Sequence, residues 1–546
     1  MATFLLAATM GTAFQDPATM LFEDVTSESG IRFTHTFGTP EKEFITDVNG
    51  SGAAFVDYDR DGFVDIYLIN GSTREVLDSP DDGNRPRNAL YRNNGDGTFT
   101  DVTEDAGVGD PGWGIGVATA DYDNDGWVDI YITNYGSNVL YRNSGDGTFS
   151  DVTREAGVGD AGYGTGATFG DYDRDGWVDL YVANYLEFDP ARDDETCGYK
   201  GIPVFCGPAG IPGARNVLYR NNKDGTFTNV TVEAGMEDAE VLYTFTAVFE
   251  DFNDDGWPDL FLANDSAPNN LFENLGDGRF RDVGLEAGVA YSEDGRSQAG
   301  MGVAVADYDN DGRSDLFVTH FSDDYNTVYR NDGNLLFSDQ SSRVRLAQPS
   351  IAMLGWGILA EDFDNDGRRD VLVANGHIYP QVDDHAVGTA YRQPLQLFRN
   401  VENRFIDTER SAFPGLAPLT GRAIVAGDID NDGDLDVLVS QIDGPAILLS
   451  NRSEPAGNWI MLELEGRASN RSGIGASVRV VTETGTFWNR VRSGGAYVSQ
   501  SDLRLHFGLG DAKRVEEVEI HWPSGRVTRL GNVEINGFLK VREPSD

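Results

Sequence analysis

Regularly spaced aspartates are the residues in this sequence that point most directly to a chemical function. Between residues 121 and 129 (DYDNDGWVD), aspartates stand at positions 1, 3, 5 and 9, and Gly126 stands at position 6. Ca²⁺ binds about six to eight oxygen ligands, and alternating aspartates in a tight loop direct their carboxylates to one centre. Gly126 permits the sharp turn, and the backbone carbonyl of Trp127 can supply one more oxygen. This spacing predicts a short calcium loop.

The residues after this loop distinguish it from an EF-hand. An EF-hand loop carries Glu at position 12 and lies between two helices. Here the ninth residue is Asp129, and the Ile-Tyr-Ile that follows is typical of a β-strand. We therefore expect a calcium loop between two strands.

The loop recurs seven times along the chain. Every copy keeps Asp at positions 1, 5 and 9 and Gly at position 6, and Asn253 is the one replacement of Asp at position 3. A single acidic loop can be a solvated turn, but seven copies in one register favour about seven bound Ca²⁺ ions. With the residue at position 7 giving its carbonyl, the predicted ligands are Asp57, Asp59, Asp61, Phe63, Asp65, Asp121, Asp123, Asp125, Trp127, Asp129, Asp171, Asp173, Asp175, Trp177, Asp179, Asp251, Asn253, Asp255, Trp257, Asp259, Asp307, Asp309, Asp311, Arg313, Asp315, Asp362, Asp364, Asp366, Arg368, Asp370, Asp428, Asp430, Asp432, Asp434 and Asp436.

The chain is strongly acidic and long enough for a large repeat array. It has 546 residues and a formal net charge of −48, and 27 of the 28 side-chain ligand positions in the loops are Asp. Abundant glycine, many aromatic residues and the lack of long amphipathic helical patterns predict an all-β chain. The acidity argues against nucleic acids as partners, because they bind basic surfaces. No apolar run reaches the roughly 18 residues of a membrane span.

Two short features bear on the compartment. Residues 1–20 contain an apolar run that resembles a secretory signal but lacks preceding basic residues, so the segment is either a signal or a disordered leader. Cys197 and Cys206 are the only cysteines. They would form a disulfide in an oxidising compartment and stay free thiols otherwise. We expect a secreted or surface protein, extracellular or periplasmic, with this disulfide formed.

A second motif alternates with the loops between residues 21 and 452. Its copy at residues 138–153 reads NVLYRNSGDGTFSDVT, with an Asp-Gly hairpin turn between two short strands. One repeat therefore contains four strands, A to D, with the calcium loop between A and B. Four antiparallel strands repeated in this way predict a seven-bladed β-propeller.

The order of the strands indicates how such a ring would close. A strand-D motif at Phe22 precedes the first loop, and the last strand C, at residues 447–451, has no strand D after it. Pairing of these two strands would close the ring and remove its open edges. A solenoid, the alternative, needs no such pairing.

Insertions between strands B and C point to a possible ligand face. They occupy residues 71–87, 186–215 and 376–394 and would emerge opposite the calcium loops. Insertions on one face often mark a binding surface, although tolerated surface variation is the alternative. Four aromatic residues that precede strand A would circle the mouth of the channel, either as a sugar platform or as packing between blades. With nearby polar residues, the ligand-face candidates are Trp113, Tyr163, Tyr243, Trp356, Asp265, His320 and His377.

The pattern changes after a short linker. In residues 458–546, apolar and polar residues alternate, as at Ile460, Leu462 and Leu464. This alternation predicts a small β-sandwich-like domain. The linker predicts that this domain has a core of its own.

The motifs together resemble a known family. The loops and strands resemble the FG-GAP/VCBS class of calcium-bearing propeller repeats, which also occurs in integrin α-chains. The tail segments HFGLG (506–510) and HWPSG (521–525) are similar to the ASPIC/UnbV domain, and the whole chain resembles the cartilage acidic protein family. The resemblance implies a secreted or surface calcium-binding protein of adhesion or matrix type, without naming its ligand.

Three functions are compatible with these observations. The expected one is an adhesion or extracellular-matrix type module that binds a glycan or a protein. The alternative is a propeller enzyme, a lyase or hydrolase acting on a polysaccharide. We expect no enzyme, because the sequence has neither H-E-x-x-H nor G-x-S-x-G and most carboxylates are assigned to calcium. The third possibility is a structural module whose tail domain docks to a partner.

Overall fold

The computed structural model describes residues 20–79, 83–237, 241–408, 410–454 and 457–545. Within this part the protein is all-β, as the sequence predicts, and its helices are single turns. None of the helices in these residues is long and apolar enough to cross a membrane. Apart from Met20, the predicted leader lies outside the described residues.

Seven four-stranded antiparallel sheets follow one another in the described chain, and we number each sheet by the aspartate loop that it carries. The chain enters at β1 (Phe22–Asp24). Sheet 1 contains β2 (Ala53–Val56), β3 (Asp65–Leu68), β4 (Ala89–Asn93) and β5 (Phe99–Asp101). Sheet 2 contains β6 (Gly114–Ala120), β7 (Asp129–Asn134), β8 (Val139–Asn143) and β9 (Phe149–Asp151). Sheet 3 contains β10 (Gly164–Gly170) and β11 (Asp179–Asn184), then, after the inserted hairpin β12 (Thr196–Tyr199) and β13 (Ile202–Phe205), β14 (Val217–Asn221) and β15 (Phe227–Asn229).

The remaining sheets repeat this order. Sheet 4 contains β16 (Thr244–Glu250), β17 (Asp259–Asn264), β18 (Asn270–Asn274) and β19 (Phe280–Asp282). Sheet 5 contains β20 (Val303–Ala306), β21 (Asp315–Val318), β22 (Thr327–Gly333) and β23 (Leu336–Asp339). Sheet 6 contains β24 (Gly355–Glu361), β25 (Asp370–Asn375), β26 (Gln396–Asn400) and β27 (Phe405–Asp407). Sheet 7 contains β28 (Gly421–Gly427), β29 (Asp436–Gln441) and β30 (Ile447–Asn451), and β1 is its fourth strand.

Short helical turns connect these strands. The α-helical turns are α1 (Thr26–Ser29), α2 (Arg74–Asp78), α3 (Thr103–Ala106), α4 (Thr153–Ala156), α5 (Gly284–Ala287) and α6 (Ala347–Ser350), and 3-10 turns span Ile45–Asp47 and Pro380–Asp384. Several of them end at a glycine with positive φ, such as Gly107 at 74°. A glycine is needed there because other residues rarely adopt this conformation.

The inner strands form a closed ring. They contact one another in the cyclic order β2, β6, β10, β16, β20, β24, β28 and back to β2. The ring closes through the first strand of the chain, because Phe22 pairs with Asn451 and Asp24 pairs with Leu449. The Phe22 ring also packs 5.6 Å from Phe363 and 5.5 Å from Phe413. This cyclic arrangement of sheets is that of a β-propeller.

Deletion of β1 is therefore expected to destabilise the ring severely. A chain that starts at residue 31 exposes β30 as an open edge, and open edges promote aggregation. We expect a lower unfolding midpoint in calorimetry and soluble aggregates in size exclusion. The control is Glu23→Ala, because Glu23 is an exposed residue of the same strand. If the truncated chain has the same unfolding midpoint as the intact protein, an open array would be favoured over a closed ring.

The tail domain consists of two sheets. Its strands are β31 (Asn458–Glu465), β32 (Ser477–Thr482), β33 (Thr486–Arg490), β34 (Leu505–Gly510), β35 (Val515–His521), β36 (Val527–Val533) and β37 (Phe538–Arg542). One sheet has the order β34-β31-β37 and the other β33-β32-β35-β36. The apolar faces of the two sheets pack against each other, as in a small β-sandwich.

A segment of the tail domain runs through the centre of the ring. Residues 491–504, which we call the strap, connect β33 to β34. Along the strap, Gln500 exchanges backbone hydrogen bonds with β2, while the carbonyls of Val498 and Ala496 accept from Val117 of β6 and Val303 of β20. Because these inner strands face one another across the channel, the strap fills it. Tyr497 of the strap is fully buried.

The expectation of two separate cores is wrong. Tyr122 and Leu180 of the propeller belong to the same buried cluster as Ile460, Val518 and Trp522 of the tail. After the linker, the N–H of Gly457 donates to the carbonyl of Asp364 at 3.2 Å, on the propeller face that carries the aspartate loops. The propeller and the tail domain therefore form one packed unit.

Candidate metal centres

Each aspartate loop is held in shape by its own backbone. In the loop of sheet 2, the carboxylate of Asp121 accepts hydrogen bonds from the N–H groups of Asp125, at 3.0 Å, and Gly126, at 2.7 Å. Asp129, which begins β7, accepts from the N–H of Tyr122 at 3.1 Å. Asn124 and Gly126 have φ values of 55° and 99°, which wind the chain into a tight turn. The hydrogen bonds of the loop backbone thus hold the predicted ligands close together.

A ring of asparagines, which the sequence analysis did not single out, ties each loop to the preceding sheet. Asn143, the last residue of β8, donates its backbone N–H to Asp129 at 2.8 Å. Its side-chain amide donates to the carbonyl of Tyr58, in the loop of sheet 1, at 2.8 Å. Equivalent amides reach the preceding loop in every sheet, from Asn93, Asn143, Asn221, Asn274, Asn331, Asn400 and Asn451. In the sequence, this ring of asparagines is marked by the Asn that recurs at the end of strand C.

The carboxylates of the loops lie close enough to share an ion. Three ligand oxygens lie within 4.8 Å of one another in the clusters Asp57–Asp59–Asp61, Asp121–Asp123–Asp129, Asp171–Asp173–Asp179, Asp307–Asp309–Asp311 and Asp362–Asp364–Asp370. These clusters could hold metal ions, and every donor in them is an oxygen. Hard cations such as Ca²⁺ and Mg²⁺ prefer oxygen donors.

The electrostatics of the loops also favour a cation. Burial raises the pKa of Asp57 to about 6 and the pKa of Asp121 and Asp171 to about 7, and neighbouring aspartates add to the shift. Burial raises the pKa of Asp65 to about 9. Ionised carboxylates are thus disfavoured in the folded loops unless a positive charge accompanies them. A bound cation would supply that charge.

Arginines already approach some of the loops. The guanidinium of Arg330 lies 2.7 Å from the carboxylate of Asp309, and the guanidinium of Arg399 lies 2.7 Å from that of Asp364. In sheet 3, Lys223 lies 2.9 Å from Asp175. These side chains partly offset the charge of the carboxylates around them. The seven loops are therefore alike in backbone but not in electrostatics.

The tail domain docks on the aspartate loops through the motifs that mark it in the sequence. The N–H of Arg471 donates to the side chain of Asn124 at 2.8 Å. The N–H of Gly510, in the HFGLG segment, donates to the carbonyl of Asn365 at 2.8 Å. In the HWPSG segment, the carbonyl of Pro523 accepts from Arg174. The aspartate loops of sheets 2, 3 and 6 therefore lie within the interface between the two parts of the molecule.

The structure buries most of the aromatic residues predicted at the mouth of the channel. Trp113, Tyr163 and Trp356 are at most 2% exposed. The ring of Trp356 lies 4.9 Å from Tyr497 of the strap. Tyr243 is half-buried and donates its hydroxyl to a backbone carbonyl. These rings pack the closed channel and offer no open platform in this structure.

The polar ligand-face candidates are also engaged inside the protein. Asp265 accepts a hydrogen bond from the hydroxyl of Tyr185 at 2.5 Å. His320 lies 3.1 Å from the hydroxyl of Thr327 and is 1% exposed. His377 is fully buried beneath Tyr199 of the inserted hairpin, with their rings 5.1 Å apart. The insertion therefore covers His377, while Asp265 and His320 are engaged by neighbouring side chains.

The insertions meet one another on this face. Phe205 of β13 packs 4.7 Å from Tyr379, which belongs to the insertion in sheet 6. Lys200 forms an ion pair with Asp323 of sheet 5 at 2.8 Å. The predicted disulfide is present and joins Cys197 of β12 to Cys206, the residue that follows β13. Together the insertions cover the end of the channel opposite the tail domain.

A serine and a histidine meet under this cover without the geometry of a catalytic pair. The Oγ of Ser322 lies 3.3 Å from Nε2 of His377. Nδ1 of His377 accepts a hydrogen bond from the N–H of Tyr379 at 3.1 Å. Nε2 therefore carries the proton and cannot accept one from the serine. Burial also lowers the pKa of His377 to about 3.

Two family models match parts of this chain. The FG-GAP-like repeat matches residues 57–132, 121–182, 251–318 and 307–373. The domain described as ASPIC and UnbV matches residues 466–546. These matches fall on the aspartate loops and on the tail domain.

Curated relatives and solved structures add further similarities. Cartilage acidic protein 1 from Mus musculus and from Homo sapiens is 28% identical over 301 residues, which is 53% of this chain. The match spans 43% of the mouse protein and 42% of the human protein, less than half of either.

Similar solved structures include an Agrocybe aegerita lectin that recognises non-reducing terminal N-acetylglucosamine, with 15% identity and a TM-score of 0.40, covering 74% of this chain and 94% of the lectin. Trypanosoma rangeli sialidase has 11% identity and a TM-score of 0.35, covering 80% of this chain and 60% of the sialidase. Likenesses at this level say nothing about what this chain binds. The sequence matches confirm the resemblance of the motifs: this chain matches the FG-GAP-like repeat and the ASPIC and UnbV domain, and it is similar over about half of its length to cartilage acidic protein 1.

Proposed function

We propose that this protein is a secreted or cell-surface binding module of the adhesion or extracellular-matrix type, and that its seven aspartate loops each bind Ca²⁺. Its partner is a glycan or another extracellular protein. The observation that carries the proposal is the repeated cluster of carboxylates, each preformed by the loop backbone and partly withdrawn from water.

Calcium fits these loops better than the other common metals. The donors are carboxylates and backbone carbonyls, without cysteine or histidine, which Zn²⁺ prefers. Mg²⁺ requires a small and nearly octahedral site and usually keeps several water molecules. Ca²⁺ accepts a larger and less regular set of oxygens. The repeated aspartates, with one more oxygen available from the carbonyl at position 7, supply such a set.

The proposed compartment follows from the same features. The disulfide between Cys197 and Cys206 belongs to an oxidising environment. Calcium sites of extracellular modules function at about 10⁻⁴ to 10⁻³ M Ca²⁺, a concentration not sustained in the cytosol. The similarity to cartilage acidic protein 1 points in the same direction.

A binding role is favoured over the enzymatic alternative because the centre of the ring is filled. The strap occupies the channel from one side and the inserted hairpin covers the other. Propeller enzymes need converging acid, base or nucleophilic groups in an accessible pocket. The buried pair of Ser322 and His377 does not meet this requirement.

The test is a binding screen of the full chain against immobilised glycans and extracellular-matrix proteins, with millimolar Ca²⁺ and with EGTA. We expect calcium-dependent binding to one class of ligand. The same samples are incubated with polysaccharides, and product formation is measured by reducing-end assay. Cleavage of a polysaccharide would support the enzymatic alternative, and binding that is equal in Ca²⁺ and EGTA would contradict the proposal.

A further inference from the structure

A cleft separates the propeller from the tail domain beside the loops of sheets 1 and 2. Its cavity volume is about 590 Å³. Asp57, Asp121 and Asp125 line the propeller side, and Phe538 and Lys540 of β37 line the tail side. The size lies within the roughly 300–1,000 Å³ of ligand sites, which occur preferentially at domain interfaces. This cleft lies on the face opposite the insertions, where the sequence gives no sign of a ligand site.

The loop of sheet 1 is open toward this cleft, unlike the loop of sheet 6. In sheet 6, Asp362 and Asp364 are 3% and 2% exposed, and Gly508 of the tail lies against Asp362. In sheet 1, Asp57 is half-buried and Asp61 is exposed. Since Ca²⁺ takes about six to eight oxygens, an ion in the open loop keeps positions that oxygens from outside the loop can fill.

The tail wall of the cleft offers an aromatic face and paired charges. Phe538 is 47% exposed; its ring packs on Trp459 at 5.3 Å, and the guanidinium of Arg504 lies 5.5 Å from the ring centre. Lys540 pairs with Glu463 at 2.6 Å, and Arg542 pairs with Glu465 at 2.8 Å. These pairs place hydrogen-bond donors beside acceptors along one wall. Hydroxyl groups, which both donate and accept, suit such a surface.

We propose that this cleft binds a neutral carbohydrate. Two neighbouring hydroxyls of the sugar complete the coordination of the calcium ion in the loop of sheet 1, and an apolar face of the sugar ring packs on Phe538. The proposal rests on the proposed function, because it requires calcium in that loop. An acidic sugar is disfavoured, since the chain carries a net charge of −48 and the cations on this wall are already paired.

A peptide is the competing occupant. β37 lies at the edge of its sheet, in the order β34-β31-β37, and a peptide strand can add to such an edge. Its affinity would come from backbone hydrogen bonds. The affinity of a peptide would therefore depend little on calcium and not at all on the carboxylate of Asp57. These differences separate the two occupants experimentally.

The test uses the full chain and an array of neutral oligosaccharides, followed by isothermal titration calorimetry with the strongest binder. Binding is measured in Ca²⁺ and in EGTA. The variants are Asp57→Asn, which removes a carboxylate ligand of the open loop that lines the cleft, and Phe538→Ala, which removes the ring. The matched control is Asp251→Asn, because Asp251 stands at the same loop position in sheet 4, is half-buried as Asp57 is, and does not line the cleft.

We expect binding in Ca²⁺ only, and a loss of about tenfold or more in affinity for each cleft variant, against a change of less than about twofold for the control. An unchanged unfolding midpoint for Phe538→Ala, and equal midpoints for the two aspartate variants, verify in Ca²⁺ that the variants fold. The proposal would be overturned if the calcium-loaded chain binds no oligosaccharide, or if binding survives both cleft variants. Neither result would contradict calcium binding by the loops. Failure of the chain to take up calcium would instead overturn the proposed function.

Discussion

Removal of calcium with EGTA is expected to lower the unfolding midpoint of the full chain by more than about 10 °C at pH 7.5. A ligand that binds only the folded state stabilises it by about 2.7 kcal/mol per site when its free concentration is about 100 times Kd. Two or more such sites are comparable with the whole stability of an ordinary domain, about 5–15 kcal/mol. Calorimetry with excess Ca²⁺ and with EGTA measures the difference.

The difference in unfolding midpoint between Ca²⁺ and EGTA is expected to shrink as the pH falls toward 5. In the metal-free fold the pKa of Asp57 is about 6 and those of Asp121 and Asp171 are about 7, whereas the ordinary value is 3.8. Between pH 4 and 7 the folded chain therefore binds protons that the unfolded chain has lost, so metal-free stability falls as the pH rises. Calcium must displace these protons, so its contribution is largest above pH 7. An equal difference at pH 5 and 7.5 would contradict this explanation.

Truncation of Tyr497 is expected to destabilise the whole molecule. Tyr497 is fully buried in the channel, where its ring lies 4.9 Å from Trp356 and 5.7 Å from Phe245. Its hydroxyl accepts a hydrogen bond from the N–H of Gly50. Replacing a large buried aromatic residue with alanine costs about 3–5 kcal/mol. Denaturant unfolding in Ca²⁺ measures the loss for Tyr497→Ala.

The control for this variant is Tyr291→Ala, since Tyr291 is 37% exposed and lies outside the channel. We expect it to cost less than about 1 kcal/mol. A chain that ends at residue 454 extends the test, because it loses the strap and leaves the inner strands without their backbone partners. We expect this chain to aggregate or melt at a much lower temperature. A truncated propeller with the stability of the full chain would show that the strap is not needed.

The aspartate loops could be predicted from the sequence because their information is local. Asp121, Gly126 and Asp129 determine the loop within nine residues, and the same spacing recurs in each sheet. The closing strand could also be predicted. A strand-D motif at Phe22 precedes the first loop, and no strand-D motif follows Asn451, so the first strand supplies what the last sheet lacks. Local spacing and strand order therefore carried these parts of the fold.

The filled channel could not be predicted in the same way. Trp113 and Trp356 are recognisable as aromatic residues near the channel, but the group that covers Trp356 is Tyr497, 141 positions further along the chain. The strap has no periodicity that marks it as buried. Its small residues, such as Gly494 and Gly495, fit a narrow channel only once the ring is known. Contacts between residues so far apart in sequence depend on tertiary packing, which a repeat pattern does not reveal.

The cover over the opposite face escaped prediction for a related reason. The insertion with Cys197 and Cys206 is visible in the sequence, but not the surface that it contacts. In the structure it lies on His377 and Tyr379, so it buries the candidates that it was expected to accompany. The cleft beside Phe538 is likewise formed by two segments far apart in sequence.

The number of calcium ions bound to the full chain decides whether the aspartate loops are calcium sites. Equilibrium dialysis against Ca²⁺ at millimolar concentration, with metal analysis of the protein compartment, gives this number. Seven loops with the same ligand types predict about seven ions for each chain. Asp121→Asn with Asp129→Asn, which disables the loop of sheet 2, is expected to lower the number by one. If the chain binds no more calcium than a buffer blank, the aspartate loops are not calcium sites.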